Sequence, residues 1–236
     1  MQSIELKTEM MDFRTTEAYK TLRTNVAFSG ENIRTVCITA CTPNEGKSSV
    51  SFELAKSFAE GGKRVLLVDA DLRKSKMKQH YRRGRVRYGL THYLVGIREI
   101  DEVLCSTDVP GLDMIFAGPV PPNPSELLGN SYFSKLIEYG RTAYDMVIVD
   151  TPPLGTVIDA AVVARVVDGS VFVIESGAIS YRFVRQVLSQ LQKAESRILG
   201  VVLNKVDLSK RSGGYFGKYY GKYYGNYDGR YGEDDE

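Results

Sequence analysis

TVCITACTPNEGKSSVSFELAKSFAEGGKRVLLVDADLR, residues 35–73, decides the fold. Residues 36–40 form a short apolar run that reads as a buried strand. The run leads into CTPNEGKS, 41–48, and a helical pattern follows over 49–59, with Val50, Leu54, Phe58 and Phe52, Ala55, Ala59 at helical spacing. A loop that closes on Gly-Lys-Ser ahead of a helix suits a phosphate. Gly46 lets the backbone approach, and the loop and helix N–H groups point at the anion. Lys47 can reach the β- and γ-phosphates, and the Ser48 hydroxyl can ligate Mg²⁺. Thr42, Asn44, Glu45 and Ser49 complete the expected nucleotide contacts. The loop departs from the usual pattern at Cys41, where a P-loop ordinarily has glycine. VLLVD, 65–69, is then a wholly apolar strand ending in a carboxylate.

Strand, phosphate loop, helix and strand predict an α/β fold of the P-loop NTPase type, with a mostly parallel sheet flanked by helices. Asp69 and Asp71 lie two residues apart at a strand's C-terminal end, where such sheets bind ligands. One could sit in a metal shell and the other accept a hydroxyl proton, and the residues leave open which does which. MVIVD, 146–150, repeats the pattern of a buried strand closed by an aspartate, so Asp150 is a candidate for Mg²⁺ contact, with Ser48 and Asp71. Strands are expected at 111–118, 169–176 and 198–206, and a helix at 181–194. Ser125 is the expected cap of a helix beginning SELL. Asn204, at the end of the last strand, is a candidate contact to the nucleotide base. His80 and His92 have no metal-type partners nearby in sequence and read as non-catalytic.

With 236 residues, one α/β domain is the leading expectation, assigned to 1–211. Its 43% hydrophobic and 25% charged content is ordinary for a globular chain. The three cysteines, Cys37, Cys41 and Cys105, have neither metal nor disulfide spacing, which suits a reducing cytoplasm. No apolar run reaches the roughly 20 residues that cross a bilayer, so action at a membrane would need a recruiting partner.

Three segments carry further information. A helix is expected from Thr15, capped by Thr15 or Thr16, with Ala18, Leu22 and Val26 as its apolar stripe and Tyr19 at its edge. Glu17, Lys20 and Arg23 share one charged arc of it, either a solvated face or a self-association surface. RKSKMKQHYRRGRVR, 73–87, has eight Lys or Arg and no acid. It reads as a surface excursion, solvated or docking an acidic or phosphorylated segment; with no base-reading element, nucleic acid is not the expected partner. From Ser212 the chain holds seven of its 15 tyrosines and seven of its 22 glycines, with no Leu, Ile, Val or Met. Such a tail, 212–236, cannot bury enough surface to fold alone, and is expected to be disordered and flexible. Tyr215, Tyr219, Tyr220, Tyr223, Tyr224, Tyr227 and Tyr231, set among Gly and Lys, look like substrates attached to their own enzyme.

These features together resemble the bacterial tyrosine kinases, specifically the detached cytoplasmic kinase subunits of capsular and exopolysaccharide loci. CTPNEGKS resembles that family's Walker A, including its non-glycine first position, VLLVDADLRKS its Walker A′, and MVIVDTPP its Walker B. EAYKTLRTN resembles its ring-forming motif through Glu17, Lys20 and Arg23, with Lys20 where arginine is more usual. The resemblance implies ATP- and Mg²⁺-dependent autophosphorylation of tail tyrosines, in trans, within a ring-shaped homo-oligomer. It implies other protein-tyrosine substrates, an opposing phosphotyrosine phosphatase, and a membrane-anchored adaptor that activates the kinase and recruits it from the cytoplasm to the inner membrane face. It implies regulation of capsule or exopolysaccharide export. On this reading Lys47, Asp69 and Asp71 are catalytic, with Asp69 the favoured base. Two other readings stand beside it. In a MinD/ParA-type ATPase switch a second P-loop lysine would stand where this chain has Thr42. A non-catalytic ATP-binding scaffold would dock partners through the tail.

Overall fold

The computed structural model describes residues 1–7 and 10–207. The compact unit is Met1–Asn204, so the expected boundary at 211/212 and the seven tail tyrosines lie outside the described residues.

The strands are β1 Gln2–Ser3, β2 Glu5–Leu6, β3 Thr35–Ala40, β4 Val65–Asp69, β5 Arg82–Arg83, β6 Cys105–Ser106, β7 Leu112–Ile115, β8 Met146–Asp150, β9 Gly169–Glu175 and β10 Ile198–Asn204. The helices are α1 Phe13–Phe28, α2 Lys47–Glu60, α3 Met77–Tyr81, α4 Leu90–Leu94, α5 Ile100–Val103, α6 Pro124–Leu128, α7 Ser131–Ala143, α8 Asp159–Ala164 and α9 Tyr181–Lys193. Eight strands form one sheet in the order β1-β6-β7-β4-β8-β3-β9-β10, and β2 pairs with β5 separately. Within the large sheet only β6 and β7 run antiparallel. This is the expected mostly parallel α/β sheet.

Both faces of the sheet are covered, which is why its central strands are apolar without alternation. One core takes Val36, Ile38, Val65, Leu67 and Ile148, packed against Val50, Leu54 and Phe58 of α2. The opposite core takes Cys37, Leu66, Val68, Val147 and Val149, packed against Phe133, Leu136 and Ile137 of α7. A third cluster joins α8 and α9 around Phe172, Val187 and Leu191. β3 lies between β8 and β9, both later in the chain, so the chain returns on either side of it. The carboxyl end of such a strand is where open α/β sheets take ligands.

Several local expectations are corrected. The α1 cap is Asp12, whose carboxylate accepts from the Thr15 backbone N–H at 2.7 Å; Thr15 and Thr16 lie inside the helix. Ala18 is exposed, and Leu22 and Val26 face the core with Tyr19 partly covered. Asn123, with Pro124 at the first helical position, precedes α6, so Ser125 is not the cap. The 73–87 segment is more than a solvated excursion. Met77 is buried, Tyr81 stacks on Phe52 of α2 with ring centroids 3.8 Å apart, and β5 pairs with β2. The first residues, which show no period, supply strand β1 beside β6 at the sheet edge.

Candidate active site

The site forms where β3, β4 and β8 end. The β3–α2 loop turns into the helix at Gly46, whose φ of 90° a side chain would strain. A Cβ there would stand 2.1 Å from Asn204 Nδ2, and that amide donates to the Glu45 carbonyl at 2.9 Å. The last strand thus braces the turn from behind. Lys47 opens α2 and lies nine-tenths buried, its Nζ 3.2 Å from Asp71 Oδ2 and 3.8 Å from Asp150 Oδ2. Burial works against its ammonium, but Asp150 and Asp71 outweigh that and hold its pKa above the ordinary value.

Asp69 and Asp150 are direct register partners on β4 and β8. Asp150 accepts from Ser48 Oγ at 2.7 Å and from Ser51 Oγ at 2.9 Å. Burial pushes its carboxyl up, against the opposing pull of Lys47 and the two hydroxyls. Asp69 is fully buried and accepts from the Ser75 hydroxyl and, at 3.4 Å, from the Ala117 N–H. Burial, reinforced by the charge of Asp150, raises its pKa to about 7. Asp71 accepts from the Lys74 N–H at 3.0 Å and the Lys47 ammonium, which pins the loop after β4 to the phosphate loop.

The residues fit a magnesium nucleotide. Three carboxylates against one lysine leave an excess of hard oxygen donors beside a glycine turn at a helix N-terminus. Mg²⁺ keeps waters and phosphate oxygens in its shell and needs only one or two carboxylates from the protein.

Residues 33–204 match the AAA domain family model. The chain is 41% identical over 204 residues to tyrosine-protein kinase CpsD of Streptococcus agalactiae, covering 86% of this chain and 89% of that protein. It belongs to the bacterial tyrosine-protein kinases. A second relative, tyrosine-protein kinase YwqD of Bacillus subtilis, is 39% identical over 204 residues, covering 85% and 86% of the two chains. The kinase domain of Escherichia coli tyrosine kinase ETK superposes with a TM-score of 0.78 at 35% identity, over 88% of this chain and 84% of that one. The protein is thus a tyrosine kinase built on an ATP-binding P-loop domain.

In this kinase Lys47, Ser48, Asp69, Asp71 and Asp150 lie together beside the Gly46 turn. Ser49 is exposed on the first turn of α2. Asn44, at φ 69°, accepts from Lys76 Nζ at 3.1 Å at the rim. Glu45 is buried and its carboxylate is used structurally: Oε1 accepts from the Thr42 N–H and hydroxyl, and Oε2 from the Glu175 N–H at 3.1 Å. Thr42 and Glu45 therefore hold the loop's shape with their side chains. Cys41, where the loop departs from the usual glycine, is buried beside Leu154 and Phe172, and burial pushes its thiol up to about 12. In α1, Lys20 ion-pairs with Glu17 at 2.7 Å, while Arg23 donates to the Ser57 carbonyl at 2.6 Å. His92 Nδ1 accepts from the Gly89 N–H, a structural role.

Three site contacts have little or no signal in the sequence. Ser51 reaches Asp150 because it lies one helical turn after Lys47. Ser75 reaches back six residues to Asp69. Arg73 makes a two-pronged ion pair with the buried Asp159 of α8, at 2.8 and 2.9 Å, across 86 residues. Of these only Arg73 is foreshadowed, by its place next to the paired aspartates.

Proposed function

We propose that this kinase transfers the γ-phosphoryl group of ATP to tyrosines of its own tail in a neighbouring copy. The observation that carries this is the meeting of Lys47 with Asp71 and Asp150 beside the raised carboxyl of Asp69. The phenol oxygen attacks the γ-phosphorus, the bond to the β,γ-bridging oxygen breaks, ADP leaves, and the phenol proton passes to Asp69. Lys47 and the loop amides hold the phosphates and offset the charge that develops on them. Ser48 and Asp150, with Asp71 at the margin, would hold Mg²⁺, which would draw charge from the phosphate oxygens.

Asp69 is favoured over Asp71 as base because Asp71 is engaged by Lys47, whereas a carboxyl near pKa 7 is matched to proton transfer at neutral pH. Asn204 supports the loop from its amide, and at the end of the last strand it would contact the nucleotide base. Thr42 fills the place of a second P-loop lysine and is tied to Glu45, which disfavours the switch-ATPase reading.

The acceptors are Tyr215, Tyr219, Tyr220, Tyr223, Tyr224, Tyr227 and Tyr231, presented in a ring in which Glu17, Lys20 and Arg23 lie at the subunit contact. A membrane-anchored adaptor would recruit and activate the cytoplasmic kinase, a phosphatase would reset it, and the cycle would regulate capsule or exopolysaccharide export. Mass-spectrometric mapping after incubation with ATP and Mg²⁺ tests this. Phosphate is expected on the tail tyrosines and absent when all seven are Phe. Unphosphorylated tails in the wild type, with the adaptor present, would favour the scaffold reading.

A further inference from the structure

Six cations between residues 74 and 87 are exposed: Lys74, Lys76, Lys78, Arg83, Arg85 and Arg87. None of the six ion-pairs with an acid among the described residues. Glu5 lies opposite Arg83 in the β2–β5 register without pairing with it. Unpaired cations this close together repel one another and await an anion. Their backbone is held firmly. Met77 is buried, Tyr81 stacks on Phe52, the Lys7 N–H donates to the Tyr81 carbonyl at 3.0 Å, and the Arg87 N–H donates to Gln2 Oε1 at 2.7 Å. The strip also ends at the active site, where Lys76 Nζ touches Asn44 of the phosphate loop. It is therefore a fixed cationic track running from the sheet edge to the rim of the phosphate loop.

The same chain carries the matching anion. Glu233-Asp234-Asp235-Glu236 begins two residues past Tyr231. We propose that the strip on one copy docks this acidic segment, 233–236, of a second copy, and so delivers the tyrosines upstream of it to the active site. Capture of the segment replaces a search by a free tail with a local one, which raises the effective concentration of the phenols. This inference rests on the trans-autophosphorylation reading and adds the surface that selects the acceptor.

A charge-swap cycle with full-length chains tests it. The acceptor is a Lys47→Met chain with its tail intact, and the readout is phosphate incorporated into that acceptor by active enzyme. The enzyme variant Arg83→Glu/Arg85→Glu/Arg87→Glu, and separately the acceptor variant Glu233→Lys/Asp234→Lys/Asp235→Lys/Glu236→Lys, should each lower kcat/KM for the acceptor by about tenfold. KM for ATP and phosphorylation of a short uncharged tyrosine peptide should stay unchanged. Combining the two variants should restore most of the loss, and raising the salt should weaken acceptor phosphorylation more than ATP binding. Full transfer to the acceptor by the strip variant would overturn the inference while leaving the kinase reading intact. So would a strip variant that loses only its binding to anionic phospholipid vesicles. Failure of wild-type enzyme on both acceptor and peptide would instead overturn the kinase reading.

Discussion

Asp69 and Asp150 face each other across adjacent parallel strands, both buried and both at the strand ends that frame the phosphate loop. Two carboxylates at such a distance from water cannot both ionise cheaply. Asp150 has two serine hydroxyls and Lys47 to support its charge; Asp69 has the Ser75 hydroxyl and two longer contacts, from the Asp71 and Ala117 N–H groups, and burial beside Asp150 raises its pKa to about 7. That division of labour separates a group suited to stay anionic near a metal from a group suited to take a proton.

The pH dependence follows from this division. A base must be ionised to act, so acceptor phosphorylation should rise with pH through a single step near 7, far above the usual carboxylate range. In Asp69→Asn the residual rate should be about a hundredfold lower or less and flat across that range. The sign for stability is opposite. A carboxyl whose pKa is raised on folding favours the fold while protonated, and that contribution is lost as pH climbs from about 4 to about 7. Asp69→Asn should therefore be more stable than wild type at pH 8, and the difference should shrink toward pH 4. Urea titrations of both chains across that range measure it.

The Arg73–Asp159 pair should be asymmetric. Asp159 is fully buried and Arg73 about one-third exposed. Arg73→Ala leaves a buried carboxylate without its partner and should cost about 3 kcal/mol, more than Asp159→Ala, which leaves a guanidinium able to turn to water. Denaturant midpoints of the two variants, at equal m-value, decide the order.

Gly46→Ala should bind nucleotide far more weakly. Its Cβ would need the space of Asn204 Nδ2, and alanine resists φ 90°. The strain should cost about 1 to 3 kcal/mol of stability. Calorimetric titration with the nucleotide, beside a melting curve, separates loss of the cradle from loss of the fold.

Cys41→Gly restores the usual P-loop residue and should gain nothing. Cys41 packs beside Leu154 and Phe172, so glycine leaves a void and should cost about 1 to 2 kcal/mol with no improvement in nucleotide affinity. The native thiol, buried and with its pKa at about 12, should resist alkylation at neutral pH.

The contrast between these residues explains what was legible beforehand. β3, β4 and β8 are covered on both faces; β4 and β8 are therefore apolar without a break up to a closing aspartate, and β3 is apolar but for Thr35 at its start and Thr39 near its end, so the loop and its aspartates can be placed from the chain alone. α1 was harder, because Ala18 fits the spacing of Leu22 and Val26 but points to solvent, while the larger Tyr19 takes up the partly covered position. β1 and β6 are two residues each, too short to show a period. Glu45 carries the chemistry of a ligand-facing acid, and the hydrogen bonds it accepts from Thr42 and from the Glu175 N–H of β9 show it to be a brace. Arg73 and Asp159 meet across 86 residues, a pairing that no local pattern contains.

The most direct test of the account is the Lys47→Met chain alone, purified and incubated with labelled ATP and Mg²⁺. Phosphoryl transfer here depends on the ammonium that Asp71 and Asp150 hold at the phosphate loop. The account predicts a chain that still folds, though with a lower melting temperature because Asp71 and Asp150 lose their buried cation, no phosphotyrosine of its own, and label on its tail once wild-type enzyme is added. Label on the tail of pure Lys47→Met would contradict it.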